Sequence, residues 1–391
     1  MVGIITNSNN KIGILTYCRT INYGTYFQCF ALAKQLEKML PQFKIEIIDY
    51  SYPSTYYREY KGVIYYLSKF KFDLAYRKLI RILNFRKAQK LLPYSKEKII
   101  SYDSKKIFKK IKNKYMAIIL GSDTVLNSCS EPMNVFLLND EFGCFKLTYA
   151  VSAYGINSEK FEKNLPEISK ALNDFSFFSV RDDVTSQMLK NILPQKEIFY
   201  SCDPTLFLNL DDYCISANAL KEKLKRKHNM VFDKPLLGLM SENNEVNLIV
   251  KKLFGETHTI VSVGFLNENA DYILIDLPLF DWARIFSLFE FTITNYFHGT
   301  LFSLFNGTPP ICFNRKPSDS LSKGKVEDFL SRIDFEEHFI KEDEFIEGEE
   351  LLNKINNIVK NFQLEKLNKA LLEQRESFEI FLRKANQYAN L

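Results

Sequence analysis

The sequence predicts an α/β protein made of two domains, each a parallel sheet built from strand–helix–strand units. Three observations carry that expectation. The chain has 391 residues, more than one hydrophobic core usually serves. Near the amino terminus, "KIGILTY" (11–17) reads as a buried strand, "TYFQCFALAKQLEKML" (25–40) as an amphipathic helix and "KIEIIDY" (44–50) as a second strand, the βαβ unit of a parallel sheet. The second half repeats the alternation after residue 235.

The elements follow in order. After the first βαβ unit comes a basic, aromatic stretch, residues 58–114, with helical character in "REYKGVIYYLSKFKFDLAYRKLIRILNFRKAQKLL". "YMAIILGSD" (115–123), "FKLTYAVSAYG" (145–155), "FSFFSVRDD" (175–183) and "EIFYSCDPTLFL" (197–208) are apolar runs that end in polar or turn residues, as strands leading into loops do. A composition shift over 209–235 marks the connection between domains. "LLGLM" (236–240), "HTIVSVGF" (258–265), "DYILID" (271–276), "FTITN" (291–295) and "PPICF" (309–313) are the strands expected of the second half. The expected boundaries are therefore 1–208, with the basic insert, then 209–235, then 236–365, and a charged, glycine-free terminal helix over 366–391 that packs across the domains.

Composition narrows the function classes. The seven cysteines are scattered, with no CxxC spacing, and read as buried thiols of a reducing compartment rather than as disulfides or zinc ligands. No apolar run reaches the eighteen or so residues that span a bilayer, and the start lacks a signal-peptide pattern, so a cytoplasmic protein is expected. The net charge of +5 hides an asymmetry: residues 58–114 hold 18 Lys and Arg against 4 Asp and Glu. That segment admits a solvated helical face, a surface that contacts anionic membrane at the inner face of the cell membrane, or a nucleic-acid patch. Nucleic acid is not expected, because no recognition motif accompanies the charge.

In open α/β sheets ligands gather where loops leave the carboxyl ends of strands. "RTINYGTYFQ" (19–28) places Asn22, Tyr23, Gly24 and Gln28 at the first such end, where a helix start attracts anions; an ordinary βα turn would look the same. Ser122 and Asp123 in "GSDTVLN" stand at a second end, as ligand groups or as a helix cap. Arg181 in "SVRDD" offers a rigid fork for phosphate or carboxylate, or a salt bridge to Asp182, Asp183 or Asp203. The strongest local signal is "TNYFHGTLFSLFNGTPPICF" (294–313), which puts one of only four histidines, His298, after a strand and just before a helix closed by Gly307. The free amides of Gly299 and Thr300 would hold an anion there while the imidazole carries a proton, and a histidine that merely caps the helix is the plainer reading. His228, His258 and His338 are expected to be structural. Arg315, Lys323 and Lys325 follow closely, as an anion clamp or as solvated charge.

Taken in order, "KIGILTYCRTINYGTYFQCFALAKQLEK", "IIDY", "ILGSDTVLN", "YAVSAYG", "SVRDD", "CDPTLFL", "TNYFHGTLFSLFNGTPPICF" and "GKVEDFL" make the chain resemble the polysaccharide pyruvyl transferase family. The resemblance implies two Rossmann-like domains facing a cleft, a GT-B-like arrangement, and transfer of pyruvate from phosphoenolpyruvate to a sugar as a ketal. It implies His298 as the catalytic acid or base, with Arg315 and Lys325 as basic residues suited to phosphoenolpyruvate; on that reading Lys323, the Gly299 and Thr300 amides and Arg181, which could serve either ligand, are expected to join them on phosphate and carboxylate. Asn22, Tyr23, Gly24, Gln28, Ser122 and Asp123 would meet a sugar or lipid-linked oligosaccharide acceptor. Phosphoenolpyruvate is then a co-substrate, and no cofactor or metal is expected. The chain departs from the family pattern at Tyr296, where a small residue is usual, at Thr124 and Leu126, where glutamine and an aromatic are usual, and at Lys325, where arginine is usual. The alternatives are a nucleotide-sugar glycosyltransferase of the same fold, against which stands the lack of a glutamate in "LFSLFNGTPP", and a non-enzymatic, membrane-peripheral assembly protein.

Overall fold

The computed structural model describes residues 10–130, 134–138, 143–313, 324–341 and 344–389. The chain divides into two compact units, one of residues 1–61, 88–208 and 373–391 and the other of residues 62–87 and 209–372.

In the first unit, β1 (Lys11–Leu15), β2 (Lys44–Ile47), β5 (Ala117–Leu120) and β6 (Phe145–Thr148) form a parallel sheet in the order β2-β1-β5-β6, the labels β3 and β4 belonging to the short parallel pair Tyr50–Ser51 and Ile99–Ile100. β7 (Phe178–Val180) and β8 (Ile198–Tyr200) pair in parallel, and Val151 bridges to both Asp123 and Val180, which brings that pair alongside the main sheet. The strand cores are unbroken apolar runs because both faces are covered: every residue of β5 is buried, and the helix Tyr23–Met39 packs Phe27, Phe30, Leu32 and Leu36 into the core. The end of the terminal helix belongs to this unit, where Phe378 and Phe381 stand edge-on to the Tyr149 ring and Ser377 Oγ accepts from the Cys202 amide.

The second unit holds a five-stranded, all-parallel sheet of β9 (Leu236–Met240), β10 (Thr259–Val263), β11 (Tyr272–Leu274), β12 (Phe291–Thr294) and β13 (Pro310–Cys312), in the order β11-β10-β9-β12-β13. Counted within the unit this is the doubly wound order 3-2-1-4-5, whose direction reverses between β9 and β12. The helix Phe297–Phe305 returns the chain from β12 to β13. It ends as the sequence predicts: Gly307 takes a φ of 71°, its amide donates to Leu304 and the Thr308 amide to Ser303, the paired bonds of a glycine-terminated helix.

The segment expected as one basic insert is two helices, Pro53–Ser68 and Phe72–Gln89, then β4 and the helix Ser104–Ile111; its residues 62–87 group with the second unit. The expected connection, 209–235, contains the helix Ala217–His228. The terminal helix runs from Leu364 to Ala389. Among the described residues, no helix is long and apolar enough to cross a membrane.

Candidate functional site

In the second unit the site is built at the sheet's switch point. β9 and β12 end in register at Met240 and Thr294, and the Asn295 amide reaches back to the Met240 carbonyl at 3.4 Å. The chain then turns straight into a helix. Thr294 Oγ1 accepts from the Tyr296 amide at 3.1 Å, and Tyr296 takes the N-cap position in extended geometry without capping the helix through its own side chain. His298 is therefore the second residue of the helix, half-buried, rather than a residue ahead of it. Gly299 is required by space: a Cβ there would lie 2.5 Å from Thr294 Oγ1 and 2.8 Å from Met240 Sδ, so only glycine lets the helix sit this close to the two strand ends.

The helix start does not offer every donor expected of it. The Thr300 amide donates to the Tyr296 carbonyl at 3.0 Å, closing the first helical turn, and its buried hydroxyl lies within reach of the same carbonyl and of Cys312 Sγ. Thr300 is thus a packing residue, and its amide is not available to a ligand. Lys325 opens the helix Lys325–Arg332, half-buried, and that helix packs on the first through the edge-on contact of Phe329 with Phe297, 5.6 Å between centroids. Arg315 and Lys323 lie outside the described residues. His338 is a core histidine held at 2.7 Å from the Pro310 carbonyl, and burial pushes its pKa below the usual value; burial also lowers His228 and His258.

The first unit gathers its polar residues at the ends of β5, β7 and β8 and joins them to one another. Arg181 donates to Asp203 Oδ2 at 2.7 Å and stands 3.8 Å from Asp123, with only 6% of its side chain exposed. The fork expected to take a ligand is thereby held by two carboxylates. Gln28, expected to touch sugar, is buried and donates to the same Asp203, whose other oxygen takes the Thr205 amide and hydroxyl. Asp123 adopts a φ of 90°, unusual for any residue but glycine, and accepts from Thr25 Oγ1 at 2.8 Å and from the Thr124 amide at 2.7 Å. Asn22 caps the helix Tyr23–Met39 through the Thr25 amide, so Gly24 is helical; Tyr23 and Ser122 are buried, and the Ser122 carbonyl accepts from Thr16 Oγ1. Of the acceptor-side residues, Asn22 is exposed and Asp123 half-buried.

The family model for polysaccharide pyruvyl transferase matches residues 22–317, a span that holds both of these strand-end clusters. The chain belongs to the polysaccharide pyruvyl transferase family. It is accordingly a transferase of polysaccharide biosynthesis. No curated protein sequence matches the chain. Among solved structures it is similar to the UDP-GlcNAc 2-epimerase from Neisseria meningitidis bound to UDP-GlcNAc, at 8% identity over 96% of this chain and 99% of that one, with a TM-score of 0.60. It is also similar to the Methanocaldococcus jannaschii UDP-GlcNAc 2-epimerase in complex with UDP-GlcNAc and UDP, at 13% identity over 95% and 99%, with a TM-score of 0.50. At these identities the likeness establishes the fold, a GT-B-type α/β architecture of Rossmann-like units, and not the chemistry.

The departures from the family pattern have visible consequences. The Tyr296 ring stacks on Phe265 at 4.5 Å between centroids, so the bulk at a position the family keeps small closes over the loop after β10. Leu126 is buried in the first unit's core. Two residues escaped sequence reasoning. Thr25 fixes Asp123, and its only signal is its place three residues after the cap Asn22. Asn295 is buried beside the switch point with an Oδ1 that meets no hydrogen-bond donor among the described residues; its position directly after the strand was the available clue.

Proposed function

We propose that this transferase moves the pyruvyl group of phosphoenolpyruvate onto two hydroxyls of one sugar, in a cell-surface polysaccharide or its precursor, as a cyclic ketal. The observation that carries the reading is His298, in the opening turn of the helix that starts at the switch point of the parallel sheet. The reaction needs a proton on the methylene carbon, attack on the adjacent carbon by the first hydroxyl, departure of phosphate, and closure by the second hydroxyl. The first hydroxyl's proton restores the acid that protonated the carbon, and the second hydroxyl's proton leaves with phosphate. An imidazole titrates near neutral pH and can supply the proton to carbon and recover one from the first hydroxyl. The helix start favours the departing anion, and Lys325 on the adjoining helix adds a positive charge; Arg315 and Lys323 join this role by sequence position. Asn22, exposed at the helix start, is assigned to the acceptor, with Asp123 holding that strand end through Thr25. No cofactor enters the scheme.

A nucleotide-sugar glycosyltransferase is the competing reading, and the helix Phe297–Phe305 carries no acidic residue that would hold a ribose. Incubating the protein with phosphoenolpyruvate and sugar acceptors decides between them. Inorganic phosphate released in step with a new ketal methyl signal supports pyruvyl transfer, whereas sugar transfer from a nucleotide sugar with phosphoenolpyruvate untouched overturns it.

A further inference from the structure

We infer that residues 62–83 form a docking face that seats on an anionic phospholipid surface. The helix Pro53–Ser68 buries none of its residues, which is unusual for sixteen residues of folded helix. The next helix, Phe72–Gln89, is anchored along one side over its first four turns. Ala75, Ile82 and Phe85 are buried there, Arg77 pairs with Asp276 at 3.0 Å, and Asn84 donates to the Asp276 carbonyl at 2.8 Å. Its other side carries Phe72, Tyr76, Leu79 and Leu83, spaced as one helical stripe and 39% to 62% exposed. Ile64, Tyr65 and Leu67 are also exposed, and Phe70, at the turn, is 80% exposed with its ring edge-on to Phe72. Single exposed apolar residues are ordinary; eight on two consecutive helices and their turn make a patch of the kind that meets a partner.

Charge selects the partner. Lys69 and Lys71 flank Phe70, both exposed, and residues 62–83 hold Lys69, Lys71, Lys78 and Arg81, besides the Asp276-paired Arg77, against a single acidic residue, Asp73. Pairing this face with a second copy of itself would oppose like charges, while an anionic headgroup layer accepts the lysines as the aromatic rings enter the acyl boundary. The Lys-Phe-Lys-Phe turn presents both elements at one point. The inference is independent of the phosphoenolpyruvate reading, since binding is measured without substrate.

The test is flotation of the full chain with vesicles of phosphatidylcholine alone and of an equimolar mixture with phosphatidylglycerol. Binding is expected only to the mixture, and to weaken as salt rises from about 0.1 M to about 1 M, which shortens the screening length from about 10 Å to about 3 Å. The Lys69→Ala/Lys71→Ala variant should lose roughly thirtyfold in partitioning, on the worth of two lysines near an anionic surface. Phe70→Ser/Phe72→Ser should lose binding while keeping its thermal midpoint, because both side chains are exposed. Equal binding to both vesicles, unchanged binding by folded variants, or a dimer in light scattering that Phe70→Ser dissociates without any vesicle binding would each overturn the inference.

Discussion

The two units place polar residues at equivalent points, the carboxyl ends of parallel strands, yet use them in opposite ways. In the first, Thr25, Gln28, Asp123, Arg181 and Asp203 hydrogen-bond or ion-pair with one another, and the guanidinium is almost wholly enclosed. In the second, the strand ends lead straight into a helix whose N-cap residue, Tyr296, makes no side-chain cap and whose first turn carries His298. A polar cluster at a strand end is therefore not evidence of a ligand by itself. What marks the first cluster as structural is the closed set of bonds among its own members.

That contrast can be broken by substitution. Arg181→Met leaves Asp203, 1% exposed in its side chain, without its cation and should destabilise the protein by about 3–5 kcal/mol, read from chemical denaturation. Arg181→Met/Asp203→Leu should recover much of the loss; if instead the single variant unfolds like the parent, the cluster is not structural. A smaller effect is expected in the second unit. Gly299→Ala drives a methyl against Thr294 and Met240 and should cost about 1–3 kcal/mol, since the packed helix must shift off the strand ends. An unchanged denaturation midpoint would show that the close approach is not needed.

The strands were legible because a parallel sheet covered on both faces spells continuous apolar runs such as "AIIL" and "TIVSV", each buried throughout. Arg181 was not resolvable from "SVRDD", because three aspartates competed for it. The fold decides: Asp182 caps the following helix through the Thr185 amide, Asp183 takes the Tyr200 hydroxyl, and the pairing of β7 with β8 brings Asp203 to the guanidinium. The start of the helix at His298 was misplaced by two residues for a related reason. Tyr296 occupies the cap position without any of the side chains that normally announce one, and its amide is satisfied by Thr294 behind it. The basic stretch 58–114 left a solvated helical face, a membrane surface and a nucleic-acid patch open, and only the contacts of Arg77 and Asn84 reveal which face of the helix Phe72–Gln89 is anchored.

The central claim rests on the proton carried by His298. Replacing it with glutamine keeps the size and polarity of the side chain and removes the titratable group. With phosphoenolpyruvate and an accepted sugar, ketal formation should fall by roughly 10²–10⁴, the range for one general acid, with the thermal midpoint unchanged. Ketal formation by His298→Gln at the parent rate would contradict the account.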